Sequence, residues 1–202
     1  MSDEVVLVAG LWMPAAVMAP IGARLTRAGY RPSRFAYSGR HSVDEAVEGL
    51  ARFARERRAA HFVGHSLGGA LILDMLERHR DVAAGRIVLV GAPVNGCLAG
   101  RRLGAWHIGR WMLGASAARW EERVARWQRP EPLGVIAGTR ALGLGRVQGA
   151  LPGENDGVVR VEETTVVGMT ERVLVHEGHS MLAVSRRVTA LVERFLRTGR
   201  FA

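Results

Sequence analysis

Positions 59–73 read Ala-Ala-His-Phe-Val-Gly-His-Ser-Leu-Gly-Gly-Ala-Leu-Ile-Leu: an apolar run, the pattern Gly-x-Ser-x-Gly, and a second apolar run. The first run has the character of a short buried strand and the second that of a helix. A serine between them sits on a sharp strand-to-helix turn with its hydroxyl exposed. Strand and helix approach so closely there that a side chain at Gly64 or Gly68 would clash. Ser66 must hold an unfavourable backbone angle, which survives only where surrounding structure enforces it. These features make Ser66 a candidate nucleophile rather than an ordinary helix-capping serine.

A serine hydroxyl is a poor nucleophile at neutral pH and needs a base, usually a histidine oriented by a carboxylate. On this kind of turn the carboxylate and then the histidine follow the serine along the chain. Seven histidines are present. His41 falls in an early loop, His61 in the strand before the turn, His79 after the following helix and His107 in a later insertion. His65 occupies the variable position of the turn, where its side chain is expected to point away from the reacting face. Only His176 and His179 come late enough. His179, in Glu177-Gly178-His179-Ser180, can swing toward the sheet edge, whereas His176 still belongs to the end of a strand. His179 is the preferred base and His176 the alternative.

The acid is expected in Pro152-Gly153-Glu154-Asn155-Asp156-Gly157-Val158-Val159. Asn-Asp-Gly is also an ordinary turn sequence, and its place between Ser66 and His179 is what selects Asp156, with Glu154 as runner-up. Asp74 and Asp81, in or after the helix following Ser66, are expected to be solvated. Two backbone N–H donors are needed for the tetrahedral oxyanion. Leu67, at the start of a helix whose dipole favours negative charge, supplies one. Leu11, with Trp12 next, is the candidate for the other, from Gly10-Leu11-Trp12-Met13.

Positioning these groups requires alternating strands and helices. Val5–Ala9 is a continuous apolar run ending at Gly10, as expected of a strand covered on both faces. Helix is expected over Ala15–Ala28 and strand over Arg34–Tyr37. A helix opening at Ser42-Val43-Asp44-Glu45 with a capping-box pattern should run to about Arg58. Further strands are expected at Arg86–Gly91, Leu133–Gly138 and Arg172–His176, with a final helix over roughly Met181–Arg197. The pattern implies a three-layer doubly wound α/β sandwich of about six mostly parallel strands in one domain. Chemistry in such sheets gathers at the carboxyl ends of the strands.

At 202 residues the chain fits one domain, and 48% apolar with 23% charged residues is ordinary for a soluble globular protein. All 28 basic residues are arginine, dispersed along the chain, and the formal charge of +9 reads as a solvated surface. Nucleic-acid binding has no supporting motif. The single Cys97 excludes an intrachain disulfide framework. Met1-Ser2-Asp3-Glu4 lacks the character of a signal peptide, and no apolar run is long enough to span a bilayer, so a cytoplasmic protein is expected.

Taken together, Val-Leu-Val-Ala-Gly-Leu-Trp-Met (6–13), Gly-His-Ser-Leu-Gly-Gly (64–69), Gly-Ala-Pro-Val (91–94), Asn-Asp-Gly-Val-Val (155–159) and Gly-His-Ser-Met-Leu (178–182) resemble the α/β-hydrolase superfamily. More narrowly, the chain resembles small bacterial lipase- and esterase-like (PGAP-type) hydrolases. Members usually carry His-Gly after the first strand, where this chain has Ala9-Gly10. The resemblance implies a minimal six-stranded core and a serine hydrolase of carboxylic esters working through an acyl-enzyme, without metal or organic cofactor. Thioesterase or acyltransferase chemistry, or a catalytically silent lipid- or protein-binding member, are the alternatives.

About forty residues, Val94 to Pro132, separate the fourth and fifth strands and hold four of the five tryptophans. A helical segment is expected there, with Trp120, Val124 and Trp127 on one face. It either packs on the sheet or forms a cap lining an acyl pocket, with Trp12, Trp106 and Trp111 as candidate pocket residues. Its seven arginines suit peripheral contact with anionic membrane headgroups.

Overall fold

A computed structural model describes residues 3–38, 42–57, 60–105, 107, 120–142 and 149–202. There are six strands: β1 (Glu4–Val8), β2 (Arg31–Phe35), β3 (Ala60–His65), β4 (Ala84–Val90), β5 (Leu133–Gly138) and β6 (Glu171–Val175). They make one sheet in the order β2-β1-β3-β4-β5-β6, every neighbouring pair parallel. Parallel pairing demands crossovers. Among the described residues these carry helices α1 (Ala19–Arg27), α2 (Val43–Arg55), α3 (Leu67–Arg78) and α4 (Leu98–Gly104), and α5 (His179–Leu182) and α6 (Arg186–Thr198) follow β6.

Both faces of the central strands β1, β3 and β5 are covered, which is why they are largely apolar, whereas the edge strands β2 and β6 are partly exposed and carry charged residues. Val6 and Val8 of β1, Phe62 of β3 and Leu89 of β4 pack with α2 and α3. Their neighbours Val5, Leu7, Val63 and Val88 pack with α1 and α6 on the other face. Each large apolar side chain fully buried this way contributes about 1.5–3 kcal/mol. The capping box forms as the sequence indicates: the Glu45 amide donates to Ser42 Oγ at 3.1 Å, and the Ser42 amide donates to Glu45 Oε2 at 2.7 Å.

Three expectations about the elements need correction. The second strand is Arg31–Phe35, so Tyr37 lies beyond its carboxyl end. The final helix is two helices, because Ser185 caps a new one at Arg186. The segment from Glu121 to Pro132 is not helical. It is an extended run whose backbone bonds go to other parts of the chain: Trp127 N–H to Val167 O at 2.7 Å and Val167 N–H to Ala125 O at 2.9 Å. Pro130 and Pro132 also disfavour helix in the residues before them. Trp120 and Trp127 are buried against the α3 side of the sheet while Val124 is exposed. A spacing of four and three residues is met here without a helix. Arg123 anchors the run to the Val94 carbonyl at 2.9 Å and to Asp74 at 2.6 Å. Asp74 is therefore a buried, ion-paired residue of α3 rather than a solvated one. Trp106 and Trp111 lie outside the described residues.

Candidate active site

Ser66 stands between β3 and α3 with φ 54° and ψ −129°. Such an angle costs a non-glycine residue on the order of 1–3 kcal/mol and has to be imposed from outside. The Ser66 amide donates to Val90 O of the neighbouring strand at 2.9 Å. The glycines explain how the turn fits. A Cβ at Gly64 would lie 2.5 Å from the Gly69 backbone, and one at Gly68 would lie 2.4 Å from both the Val8 and Ala9 carbonyl oxygens. Neither position admits a side chain.

The loops after β5 and β6 deliver the two partners. Ser66 Oγ lies 2.9 Å from His179 Nε2, and His179 Nδ1 lies 2.7 Å from Asp156 Oδ2. Asp156 is 1% exposed. Its other oxygen, Oδ1, accepts the amides of Val158 at 3.0 Å and Val159 at 2.7 Å. With Oδ1 occupied, Oδ2 is left for the imidazole. A carboxylate at Nδ1 fixes the tautomer with the proton there, so Nε2 offers its lone pair to the Ser66 hydroxyl. His179 is the first residue of α5, not a loop residue, and its amide donates to Asp156 O at 2.9 Å. Gly91 leaves the room beneath this pair: a Cβ there would lie 3.3 Å from Asp156 Oδ2 and 3.5 Å from His179 Nδ1.

The alternatives lie elsewhere. His176 is exposed, its Nδ1 3.5 Å from Thr139 Oγ1. Glu154 is exposed as well, and Asp81 pairs with Arg55 on the surface.

His65 departs from its expected direction. Its ring is fully buried, 4.9 Å from the His179 ring between centroids. Nε2 of His65 lies 3.0 Å from the His179 carbonyl oxygen. A carbonyl can only accept, so Nε2 carries the proton and Nδ1 the lone pair. Nδ1 has no hydrogen-bond partner among the described residues. Burial, reinforced by the neighbouring His179, lowers the His65 pKa to about 3, so the ring is neutral near pH 7.

The loop after β1 abuts the serine. A Cβ on Gly10 would lie 2.9 Å from Ser66 Cβ and 3.4 Å from Ser66 Oγ. Gly10 to Met13 form a turn closed by the Met13 amide on Gly10 O at 3.3 Å, with Trp12 at φ 60°. Leu11 is partly buried against the α2–α3 side, and Trp12 is 52% exposed. Leu67, as the first residue of α3, has no intrahelical acceptor for its N–H. The Tyr37 hydroxyl, from beyond β2, donates to Ala9 O at 3.1 Å. Sequence reading missed both Tyr37 and the side-chain direction of His65. The only available sign for Tyr37 was its place at the carboxyl end of a strand.

A polar chain of this kind can take a proton from a serine, store it on an imidazole and return it to a leaving group. The alpha/beta hydrolase family model matches residues 5–198. The chain belongs to that family.

Solved structures share its fold. The mature lipase BlEst2 of Bacillus licheniformis is 16% identical with a TM-score of 0.76, over 97% of this chain and 91% of that one. A bromoperoxidase from Bacillus anthracis is 12% identical with a TM-score of 0.70, over 98% and 92%. The pyrethroid hydrolase PytH is 13% identical with a TM-score of 0.66, over 98% of this chain and 99% of that one. No curated protein sequence matches the chain. In this alpha/beta hydrolase the contact made by Tyr37 falls on the carbonyl of Ala9, directly before Gly10. Among the described residues no helix is long and apolar enough to cross a membrane.

Proposed function

We propose that the protein is a serine hydrolase of carboxylic esters. The observation that carries this reading is the unbroken hydrogen-bonded chain Asp156–His179–Ser66 at the carboxyl ends of the strands. Ser66 Oγ attacks the ester carbonyl carbon as His179 Nε2 takes the hydroxyl proton, and Asp156 Oδ2 steadies the imidazolium that results. The oxyanion is held by the amides of Leu67 and Leu11. The tetrahedral intermediate collapses as His179 returns the proton to the departing alcohol, leaving an acyl-serine. Water, deprotonated by the same imidazole, then releases the acid.

Trp12, exposed in the loop whose Gly10 abuts the serine, is the described residue assigned to contact with the acyl group, and Trp106 and Trp111 are assigned to the same pocket from the sequence. Labelling by a fluorophosphonate probe tests the nucleophile: the wild type is expected to label and Ser66→Ala not to. A folded wild type that stays unlabelled, or a Ser66→Ala protein that labels equally, overturns the reading. Turnover of p-nitrophenyl esters of increasing chain length, set against acyl-thioesters, then identifies the leaving group and the acyl preference.

A further inference from the structure

Among the described residues, four hydrogen bonds tie His179 to residues outside its own helix, and they divide evenly. Asp156 takes its amide through a main-chain carbonyl and its ring Nδ1 through a carboxylate oxygen. The other two bonds go to consecutive residues of the turn, Ser66 at ring Nε2 and His65 at the main-chain carbonyl. We infer that His65 is a positioning residue, whose Nε2–H pins the main chain of His179 so that base and nucleophile are fixed to each other through adjacent residues. The inference rests on the catalytic reading of Ser66 and His179.

Packing alone does not account for an imidazole at this position. A phenylalanine ring would fill similar space without burying the unpartnered Nδ1. What the imidazole adds is one N–H aimed at one carbonyl. That carbonyl belongs to the first residue of a helix of only four residues, which has little cooperativity of its own to hold the backbone in place. The His65 ring is also 4.9 Å from the ring that must become cationic during each proton transfer. A donor here has to be neutral, and complete burial makes it so. A lysine or an exposed histidine would place a second positive charge against the imidazolium.

The test compares His65→Gln with His65→Met, side chains of nearly equal length that differ in having an N–H donor. A shift of about 1 Å in a positioned group costs up to roughly a hundredfold in rate. His65→Met is therefore expected to react with the fluorophosphonate probe about tenfold to a hundredfold more slowly, and to lose kcat on a p-nitrophenyl ester with KM little changed. His65→Gln is expected to recover most of both. The Met variant should unfold at a somewhat lower temperature than the Gln variant, because it leaves the His179 carbonyl without this donor, so the rates are compared well below both transitions. Equal rates for Gln and Met, or a Met variant reacting at the wild-type rate, overturn the inference while the hydrolase reading stands. A wild type that does not label overturns the reading of Ser66 itself. If the Met variant does not fold, His65→Phe takes its place, with the same slow labelling expected and a wild-type rate again decisive against the inference.

Discussion

The Tyr37 hydroxyl donates to the carbonyl oxygen of Ala9 at 3.1 Å, one residue before the glycine that faces Ser66. The same carbonyl lies so close to Gly68 that no side chain is possible there. Ala9 is thus held from two sides, by an aromatic side chain beyond β2 and by the first turn of α3. Tyr37→Phe removes one hydrogen bond and leaves a buried carbonyl short of a partner, at a cost of about 1–3 kcal/mol. Urea unfolding should register that loss. Probe labelling should slow as well, because the loop that carries Gly10 against Ser66 loses its anchor.

Asp156 performs two tasks with two oxygens, and substitution separates them. Asn at 156 can keep one oxygen for the Val158 and Val159 amides while turning its NH2 toward His179 Nδ1. That forces the tautomer with the proton on Nε2, which cannot accept from serine. Asp156→Asn is expected to fold but lose roughly 10^4-fold in kcat. Asp156→Ala also leaves both amides without their acceptor, at about 1–3 kcal/mol each. The Ala variant should therefore melt well below the Asn variant in calorimetry.

Gly10→Ala and Gly68→Ala separate activity from stability. The Gly10 methyl meets the serine side chain, 2.9 Å from Ser66 Cβ, and the serine must move. Labelling should fall while the fold persists. The Gly68 methyl meets two main-chain carbonyls at 2.4 Å, which no side-chain rotation relieves. A loss of about 1–3 kcal/mol or more is expected, with poor soluble yield. A Gly10→Ala protein that labels like the wild type would contradict the placement of the loop beside Ser66.

Stability should fall in mild acid through His65. Its folded pKa is lowered to about 3 by burial and by His179, and an unfolded histidine titrates near 6.5. Between those values the unfolded chain binds a proton that the folded one refuses, so unfolding gains as pH drops. The contribution is fully present above about pH 6.5 and is lost toward pH 3, with a slope of at most about 1.4 kcal/mol per pH unit. Urea midpoints measured near pH 7 and near pH 4 should diverge less for His65→Gln than for the wild type. Equal divergence in both would rule out His65 as the group responsible.

Cys97 should resist alkylation in the folded protein. Burial pushes its thiol up to about 12, with Glu163 nearby adding to the effect, and thiolate is the reactive form. Iodoacetamide near pH 8 is expected to leave both the cysteine and the labelling rate unchanged until the protein is unfolded by urea.

Much of this architecture is written in local patterns. The turn at Ser66 is legible because strand, glycines, serine and helix adjoin in sequence, and each is a short-range steric or periodic signal. The capping box at Ser42 and Glu45 is legible for the same reason. Asp156 and His179 are legible by chain order, since a parallel sheet returns each loop to the same edge. The helix expected at Trp120 to Trp127 was misread because its apolar spacing is set by packing against α3, and its hydrogen bonds reach Val167, about forty residues away. Asp74 looked solvated because its partner Arg123 is distant in sequence.

The amino-acid sequence by itself determined the alternating α/β architecture, the strained serine turn, and the order in which Asp156 and His179 follow Ser66. These follow from periodicity, glycine placement and connectivity. Only the tertiary structure decided where His65 points, that Tyr37 holds Ala9, and which oxygen of Asp156 faces His179. Each of those depends on side chains from separate strands meeting at one sheet edge, and no local signal along the chain encodes such a meeting.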